Sequence, residues 1–210
     1  MTTVKNIEIE VKIPCDDIKI LEKIGQLMCH KPRHFEDNWM LDNAGVLAAK
    51  QEALRLRVVD GKATLTFKGL SDMPSDFKSR LEYETEVADP KQMLSILARL
   101  GYRPFFRYQK YRTIYILLLE SGLSLQAMFD ETPMGNFLEL EGCELAVRQA
   151  IEALALTQDE YITTTYIQMQ ADRCSRLGLP LRDLVFSEQE DEGDDSCGGL
   201  WDKAVAANNR

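Results

Sequence analysis

A pair of glutamates near the start of the chain is the first pattern with chemical meaning. Glu8 and Glu10 alternate with apolar residues, and Lys12 follows at the same spacing. Residues i and i+2 of a strand share one face, about 6.6 Å apart. Two carboxylates at that spacing can converge on one cation, and carboxylate oxygens are ligands that Mg²⁺ prefers. Lys12 lies one step further along, where it could hold an anion beside the metal.

The same alternation of charged and apolar residues recurs along the chain. Arg55 and Arg57 share one strand face, and two planar guanidinium groups can bind successive phosphoryl groups. A set of carboxylates beside such bases is what a metal–polyphosphate complex requires. The acids on these faces are Glu8, Glu10, Glu82, Glu84, Asp130, Glu139 and Glu141, and the bases are Lys12, Arg55, Arg57, Lys68, Arg80, Lys110 and Arg112.

The elements that must position these residues are mostly strands. Strict alternation predicts strands over 7–13, 54–59, 63–68, 80–87, 105–118, 123–130 and 137–142. Apolar residues at helical spacing predict a first helix from Asp16, with a stripe from Ile18 to Met28. A second helix is predicted to start at Asp89-Pro90, and a third over 144–155. Asp60-Gly61 is typical of a hairpin turn.

This order of elements predicts an α+β fold, and the charged faces allow two arrangements. An open antiparallel sheet with one solvated face is the simpler one. However, charges repeat at i, i+2 on strand after strand, and the helices can cover the apolar face only. We therefore expect an eight-stranded antiparallel β tunnel, a closed barrel with a charged, hydrated interior and helices packed outside.

The motifs along these strands resemble those of the CYTH superfamily, the triphosphate tunnel metalloenzymes. Glu8-Ile9-Glu10-Val11-Lys12 is similar to the family's Glu-x-Glu-x-Lys signature. Further elements follow in the family's order across roughly residues 4–168: Arg55-Leu56-Arg57, Thr66-Phe67-Lys68-Gly69, Arg80-Leu81-Glu82-Tyr83-Glu84, Lys110-Tyr111-Arg112, Asp130-Glu131 and Phe137-Leu138-Glu139-Leu140-Glu141.

The resemblance implies an enzyme that uses Mg²⁺ or Mn²⁺ to act on a small molecule bearing a triphosphate. It implies metal ligation by Glu8, Glu10, Asp130, Glu139 and Glu141, with Glu82 and Glu84 near a second metal. Phosphate binding falls to Lys12, Arg55, Arg57, Lys68, Arg80, Lys110 and Arg112. Glu8, Glu10, Lys12 and Lys68 are the candidate catalytic residues.

Three activities are compatible with such a tunnel. Hydrolysis of a triphosphate is favoured, because it needs only an oriented water molecule, and no sequence feature identifies an adenine pocket. A class IV adenylate cyclase, which forms cyclic AMP and pyrophosphate from ATP, is the alternative. The third is a sensor that binds polyphosphate or nucleotide without turnover.

Composition limits the partners. The 210 residues include 34 acidic and 25 basic side chains, a net charge of -9 that argues against nucleic-acid binding. Seven of the acids lie in 188–210, which we interpret as a disordered acidic tail within a C-terminal extension, 171–210, after a tunnel domain, 1–170. Apolar runs are too short to span a membrane. We expect a cytoplasmic monomer or homodimer.

Some polar residues receive no catalytic role at this level. Cys29, His30 and His34 are predicted to lie at the end of the first helix, where no second pair of ligands completes a metal site. Arg107 alternates to the outside of its strand and is predicted to be solvated.

Overall fold

Eight antiparallel strands close on themselves in the computed structural model. The structure describes residues 7–70 and 78–187, and of positions 7, 8 and 78 the backbone alone. The order around the barrel is β1-β5-β4-β3-β2-β6-β7-β8, with β8 paired to β1. The predicted closed tunnel is thereby confirmed. The strands are β1 Ile7–Pro14, β2 Gly25–Asp42, β3 Ala53–Val59, β4 Lys62–Leu70, β5 Lys78–Val87, β6 Arg103–Leu119, β7 Ser124–Thr132 and β8 Gly135–Gly142.

Apolar side chains of the strands face outward, where helices cover them. The helices are α1 Val46–Ala49, α2 Pro90–Arg99, α3 Glu144–Ala153 and α4 Tyr166–Arg176. Leu94 and Leu97 of α2 pack with Leu56 and Val58 of β3 in one core. The larger core lies between β1, β7, β8 and α3. Because alternate residues of a strand face opposite sides, this burial turns the charged residues toward the inside.

Local signals placed most of these elements correctly. Asp89 caps α2, and its carboxylate accepts a hydrogen bond from the Gln92 backbone N–H. Asp60 and Gly61 both have positive φ in the β3–β4 hairpin, as a two-residue turn of this type requires. The predicted third helix corresponds to α3.

The predicted first helix is wrong. Only a short 3₁₀ helix, Ile18–Lys23, follows Asp17, and the chain then enters β2, the longest strand. Pairing of β2 with β6 extends from Gly25 to Asp42 and outweighs the helical spacing of the apolar residues. Cys29, His30 and His34 therefore lie on a strand.

One end of the barrel is filled by aromatic and aliphatic side chains. Tyr166, the first residue of α4, packs there with Phe106, Tyr108, Phe137 and Leu184. Leu184 also joins β6, since its N–H donates to the Arg107 carbonyl and its carbonyl accepts from the Gln109 N–H.

The predicted division of the chain into a tunnel domain, 1–170, and a C-terminal extension, 171–210, concerns the part of the chain after α3. The boundary at residue 170 falls inside α4, and the division stays a prediction. The predicted tail, 188–210, lies outside the described residues. No helix in the described ranges is long and apolar enough to cross a membrane.

Arg107 lies on the outer face as predicted, but it is not simply solvated. Its guanidinium donates two hydrogen bonds, 2.8 and 2.9 Å, to the carboxylate of the fully buried Asp37. The guanidinium carbon also lies 4.8 Å from the centre of the Trp39 ring. The pair ties β2 to β6 outside the tunnel.

Replacing Arg107 by glutamine is expected to lower the free energy of unfolding by about 3 kcal/mol, because Asp37 would remain buried without its partner. Urea denaturation measures this loss. Arg148→Gln, which breaks an exposed ion pair with Glu144, is the control and should cost under about 1 kcal/mol. Equal losses in the two variants would contradict the role given to Arg107.

Candidate functional site

Every strand contributes at least one charged side chain to the inside of the barrel. Lys12 and Lys110 are only 2% exposed, and Asp130 is fully buried. Such burial requires each charge to be paired or hydrogen-bonded. One charged residue per strand, in barrel order from β1, is Lys12, Glu82, Lys68, Arg55, Glu36, Lys110, Asp130 and Glu139.

Asp130 is the centre of the most buried network. Its carboxylate accepts hydrogen bonds from Lys110 Nζ at 2.8 Å, from Arg112 Nε at 2.6 Å and from the Tyr166 hydroxyl at 2.8 Å. Arg112 also donates to Glu139. Burial alone would lower the pKa of Arg112, but the carboxylates of Asp130 and Glu139 raise it well above its usual range. In this structure the Asp130 carboxylate therefore pairs with the positively charged side chains of Lys110 and Arg112.

Carboxylates of β1 and β8 lie side by side at one position on the tunnel wall. Glu10 is directly opposite Glu141 in the β1–β8 pairing, and Lys12 is opposite Glu139. Lys12 Nζ lies 3.1 Å from a Glu139 oxygen. Burial raises the pKa of Glu141, and the negative charges of Glu10 and Glu139 raise it further. These acids thus repel one another.

The acids of this wall are near one another without forming a closed ligand set. No three His, Cys, Asp or Glu residues are grouped tightly enough to hold a metal ion among the residues described. Glu8 pairs with Arg80 through the β1–β5 backbone, and its side chain lies outside the described part. The metal-binding roles of these residues stay predictions.

On the wall formed by β3, β4 and β5, bases and acids are also paired. Lys68 donates to Glu82. Arg55 donates to the Thr66 hydroxyl at 3.1 Å, and this hydroxyl donates to Glu84 at 2.8 Å. Arg55, Lys68, Glu82 and Glu84 are thus brought together on this wall, where the Glu84 side chain is 56% exposed.

Arg80 differs from the other predicted phosphate-binding residues. Its guanidinium donates at 2.6 Å to the carbonyl of Gln51, two residues before β3. A role for Arg80 in phosphate binding would require this side chain to turn.

Sequence reasoning missed Glu36, a buried tunnel acid. Its carboxylate lies 3.3 Å from Arg57 Nη1 and 3.7 Å from Lys110 Nζ. Burial alone would raise the pKa of Glu36, but Arg57, Lys110 and Arg112 hold it well below its usual range. Phe35, Trp39 and Leu41 share one strand face, but Asp37 interrupts the apolar pattern on that face, so alternation gave only a weak signal for this strand.

Tyr166 was also missed, since it reaches the tunnel from a helix. The Lys12 ammonium lies 4.0 Å from the centre of its ring, a cation–π contact. Burial raises the pKa of Tyr166 well above its usual range, and the charges of Asp130 and Glu139 add to this effect. Its hydroxyl therefore stays a donor to Asp130.

A closed antiparallel barrel with charged side chains from every strand inside it defines a charged-tunnel protein. The profile of the CYTH domain matches residues 6–166, and the chain belongs to the CYTH family. The predicted resemblance is confirmed.

Individual relatives agree with this assignment. A Methanocaldococcus jannaschii protein named "Putative adenylate cyclase" is 27% identical over 179 residues, which cover 78% of this chain and 98% of that protein. The prediction that this chain is an enzyme agrees with that name.

Solved structures share the fold. A protein of Pyrococcus horikoshii superposes with a TM-score of 0.63 at 22% identity, covering 79% of this chain and 99% of that one. A Vibrio parahaemolyticus protein, also described as a "putative adenylate cyclase", superposes with a TM-score of 0.60 at 17% identity. The match covers 78% of this chain and 97% of that one.

Proposed function

We propose that the tunnel binds the triphosphate group of a small-molecule substrate and catalyses metal-dependent phosphoryl chemistry on it, most directly hydrolysis. The observation that carries this proposal is the set of bases gathered inside one cavity. Lys12, Arg55, Lys110 and Arg112 are buried there, and the half-buried Arg57 lies 3.3 Å from Glu36. Bases that are paired with tunnel acids can exchange these partners for phosphate oxygens, whose geometry matches guanidinium donors.

A divalent cation would suit the acids of β1 and β8. Glu10 lies directly opposite Glu141 in the β1–β8 pair, and Glu139 lies two residues before Glu141 on β8. Their negative charges add to burial in raising the pKa of Glu141, and a cation would relieve this repulsion. Mg²⁺ or Mn²⁺ suits such oxygen ligands. These three residues, with Glu8, would hold the ion, which when bound would polarise phosphoryl oxygens and neutralise their charge.

The remaining residues have roles set by position. Lys12 and Lys68 would donate to phosphate oxygens and stabilise the negative charge that develops on the leaving group. The water oxygen forms a bond to phosphorus as the bridging P–O bond breaks. The leaving phosphate takes the bonding electron pair, and the proton that the water loses passes to a phosphate oxygen or to solvent. Glu82 and Glu84 are engaged by Lys68 and by Thr66 and Arg55, so a second metal there would first have to break these contacts.

Cyclisation of ATP is the second candidate, and the Methanocaldococcus relative favours it. In that reaction the ribose 3′-hydroxyl replaces water as the nucleophile, and pyrophosphate leaves. The same phosphate-binding residues would serve both reactions. The reactions differ in the nucleophile and in the phosphorus attacked, which is the terminal one in release of inorganic phosphate and the α-phosphorus in cyclisation.

Product analysis separates these activities. The protein is incubated with Mg²⁺ or Mn²⁺ and with tripolyphosphate, ATP or thiamine triphosphate, and the products are resolved by ion-exchange chromatography. Release of inorganic phosphate is the expected result, whereas cyclic AMP with pyrophosphate would identify the cyclase. Tight binding without turnover would identify a sensor and would contradict the proposed enzyme.

A further inference from the structure

Asn38 is a neutral side chain on the charged wall of the tunnel, and one of its polar atoms is unused. It lies on β2, directly opposite Arg57 of β3 and Tyr108 of β6. The residue is fully buried, and its amide nitrogen Nδ2 has no hydrogen-bond partner among the described residues. Buried polar atoms without partners are rare, so this donor calls for an explanation.

The orientation of the Asn38 amide is fixed by Arg57. Arg57 Nε donates a hydrogen bond to Asn38 Oδ1 at 2.9 Å. Because a guanidinium can only donate, the amide oxygen must face Arg57. Both protons of Nδ2 are therefore left for another acceptor.

A second donor on the same wall is also unused. Arg55 Nε is buried and has no hydrogen-bond partner within the described ranges, although Arg55 Nη2 donates to the Thr66 hydroxyl at 3.1 Å. Arg55 lies two residues before Arg57 on the same strand face, and therefore diagonal to Asn38. Diagonal neighbours of this kind are about 7–8 Å apart. The two donors can thus reach the same group of atoms in the tunnel.

The charges near Asn38 favour an anion as that group. Arg57 Nη1 lies 3.3 Å from Glu36. Burial lowers the pKa of Arg57, and the positive charges of Arg55 and Arg112 lower it further against the opposing effect of Glu36. An anion would relieve this repulsion between bases. A neutral amide beside them can donate a hydrogen bond to the anion without adding to the repulsion.

We propose that Asn38 Nδ2 donates a hydrogen bond to a phosphate oxygen of the substrate and, with Arg55 Nε, positions that phosphoryl group. The inference rests on the proposed function and adds a neutral residue to the site. Arg57 holds the Asn38 amide, and Thr66 holds the Arg55 guanidinium, before the substrate arrives. Donors that are already ordered lose little freedom when a ligand binds.

Calorimetric titration with a methylene-bridged triphosphate, which is not hydrolysed, measures what Asn38 contributes to binding. Asn38→Ala should bind the analogue about tenfold or more weakly than the wild type, because hydrogen bonds to charged groups are stronger than those between neutral groups. Asn43→Ala is the control and should bind like the wild type, since Asn43 lies beside Gly101, after the outer helix α2.

Asn38→Ala also removes an acceptor from Arg57, so the substitution is repeated in the Arg57→Ala protein. A further loss of affinity of at least about fivefold is expected in that background if Asn38 contacts the phosphate itself. No further loss would show that Asn38 acts only through Arg57, and it would overturn the proposal.

A crystal structure of the wild-type protein with the analogue tests the contact without depending on the folding of a variant. We expect a phosphate oxygen within about 3.2 Å of Asn38 Nδ2. A bound analogue with only a water molecule, or no acceptor, at Nδ2 would overturn the role of Asn38 and leave the proposed function standing. Failure of the wild-type protein to bind the analogue would instead overturn the proposed function itself.

Discussion

Glu10→Gln is expected to reduce kcat for triphosphate turnover by at least about a hundredfold without loss of stability. Glu10 lies opposite Glu141 in the β1–β8 pair and is one of the acids proposed to hold the metal. Loss of groups that merely orient metal ligands costs about 10–100-fold, so loss of a ligand should cost at least as much. Steady-state rates at saturating Mg²⁺ measure the effect.

Stability should move in the opposite direction from activity. Like charges directly opposite in a sheet are destabilising, so Glu10→Gln should raise the free energy of unfolding by about 0.2–1 kcal/mol. Because the pKa of Glu141 is raised in the folded protein, stability is lost as pH rises through that pKa. Removing Glu10 should make this loss smaller.

The control for Glu10 is Glu22→Gln, at an exposed position of the 3₁₀ helix, which should change neither rate nor stability. A Glu10→Gln protein that is folded and turns over at the wild-type rate would show that the acids of β1 and β8 do not hold the catalytic metal.

Arg112→Met is expected to cause the largest loss of stability, about 5 kcal/mol. Arg112 donates to Asp130 and Glu139, and all three side chains are less than a tenth exposed. Removing one partner of a buried ion pair leaves an uncompensated charge, which costs about 3–5 kcal/mol. Two carboxylates each lose one partner here, which places the cost at the upper end although Asp130 keeps Lys110 and Glu139 keeps Lys12. Urea denaturation followed by circular dichroism measures it.

A second substitution tests the cause of that loss. Asp130→Asn in the Arg112→Met protein removes one of the two negative charges that have lost Arg112 and should recover about 1–3 kcal/mol. Recovery should be incomplete, because Asp130 also accepts hydrogen bonds from Lys110 and Tyr166. If Arg112→Met costs under about 1 kcal/mol, the buried network does not stabilise the barrel as described.

The strands of the barrel could be predicted from the sequence because the residues of each strand reflect which of its faces is buried. Leu54 and Leu56 alternate with Arg55 and Arg57. This local pattern predicts which face of the strand packs against the helices and which faces the cavity. The hairpin at Asp60-Gly61 is equally local, since backbone conformation there depends on two residues. Such features need no knowledge of the rest of the chain.

The features that could not be predicted from the sequence depend on contacts between segments that are distant along the chain. β2 forms because it pairs with β6, about 80 residues further on, although its first half has helical spacing. Because β2 was not predicted, Glu36 was not predicted as a tunnel residue either. Tyr166 reaches Asp130 from a helix 36 residues away.

Alternation of polar and apolar residues does not predict which acid and which base form an ion pair inside the tunnel. Alternation places Arg112 and Lys68 on the inner face, but strand tilt and stagger decide which acids they meet. Arg112 thus binds Asp130 and Glu139, while Lys68 binds Glu82. The Asp37–Arg107 pair outside the tunnel was unforeseen for the same reason.

Isothermal titration calorimetry with the methylene-bridged triphosphate tests the central claim most directly. The account predicts that the wild-type protein binds one molecule, that added salt weakens binding, and that Arg57→Ala binds at least about tenfold more weakly. Arg148→Gln, on the outer helix α3, should bind like the wild type. Absence of binding to the wild-type protein, or equal affinity in the wild type and in Arg57→Ala, would contradict a triphosphate site in the tunnel.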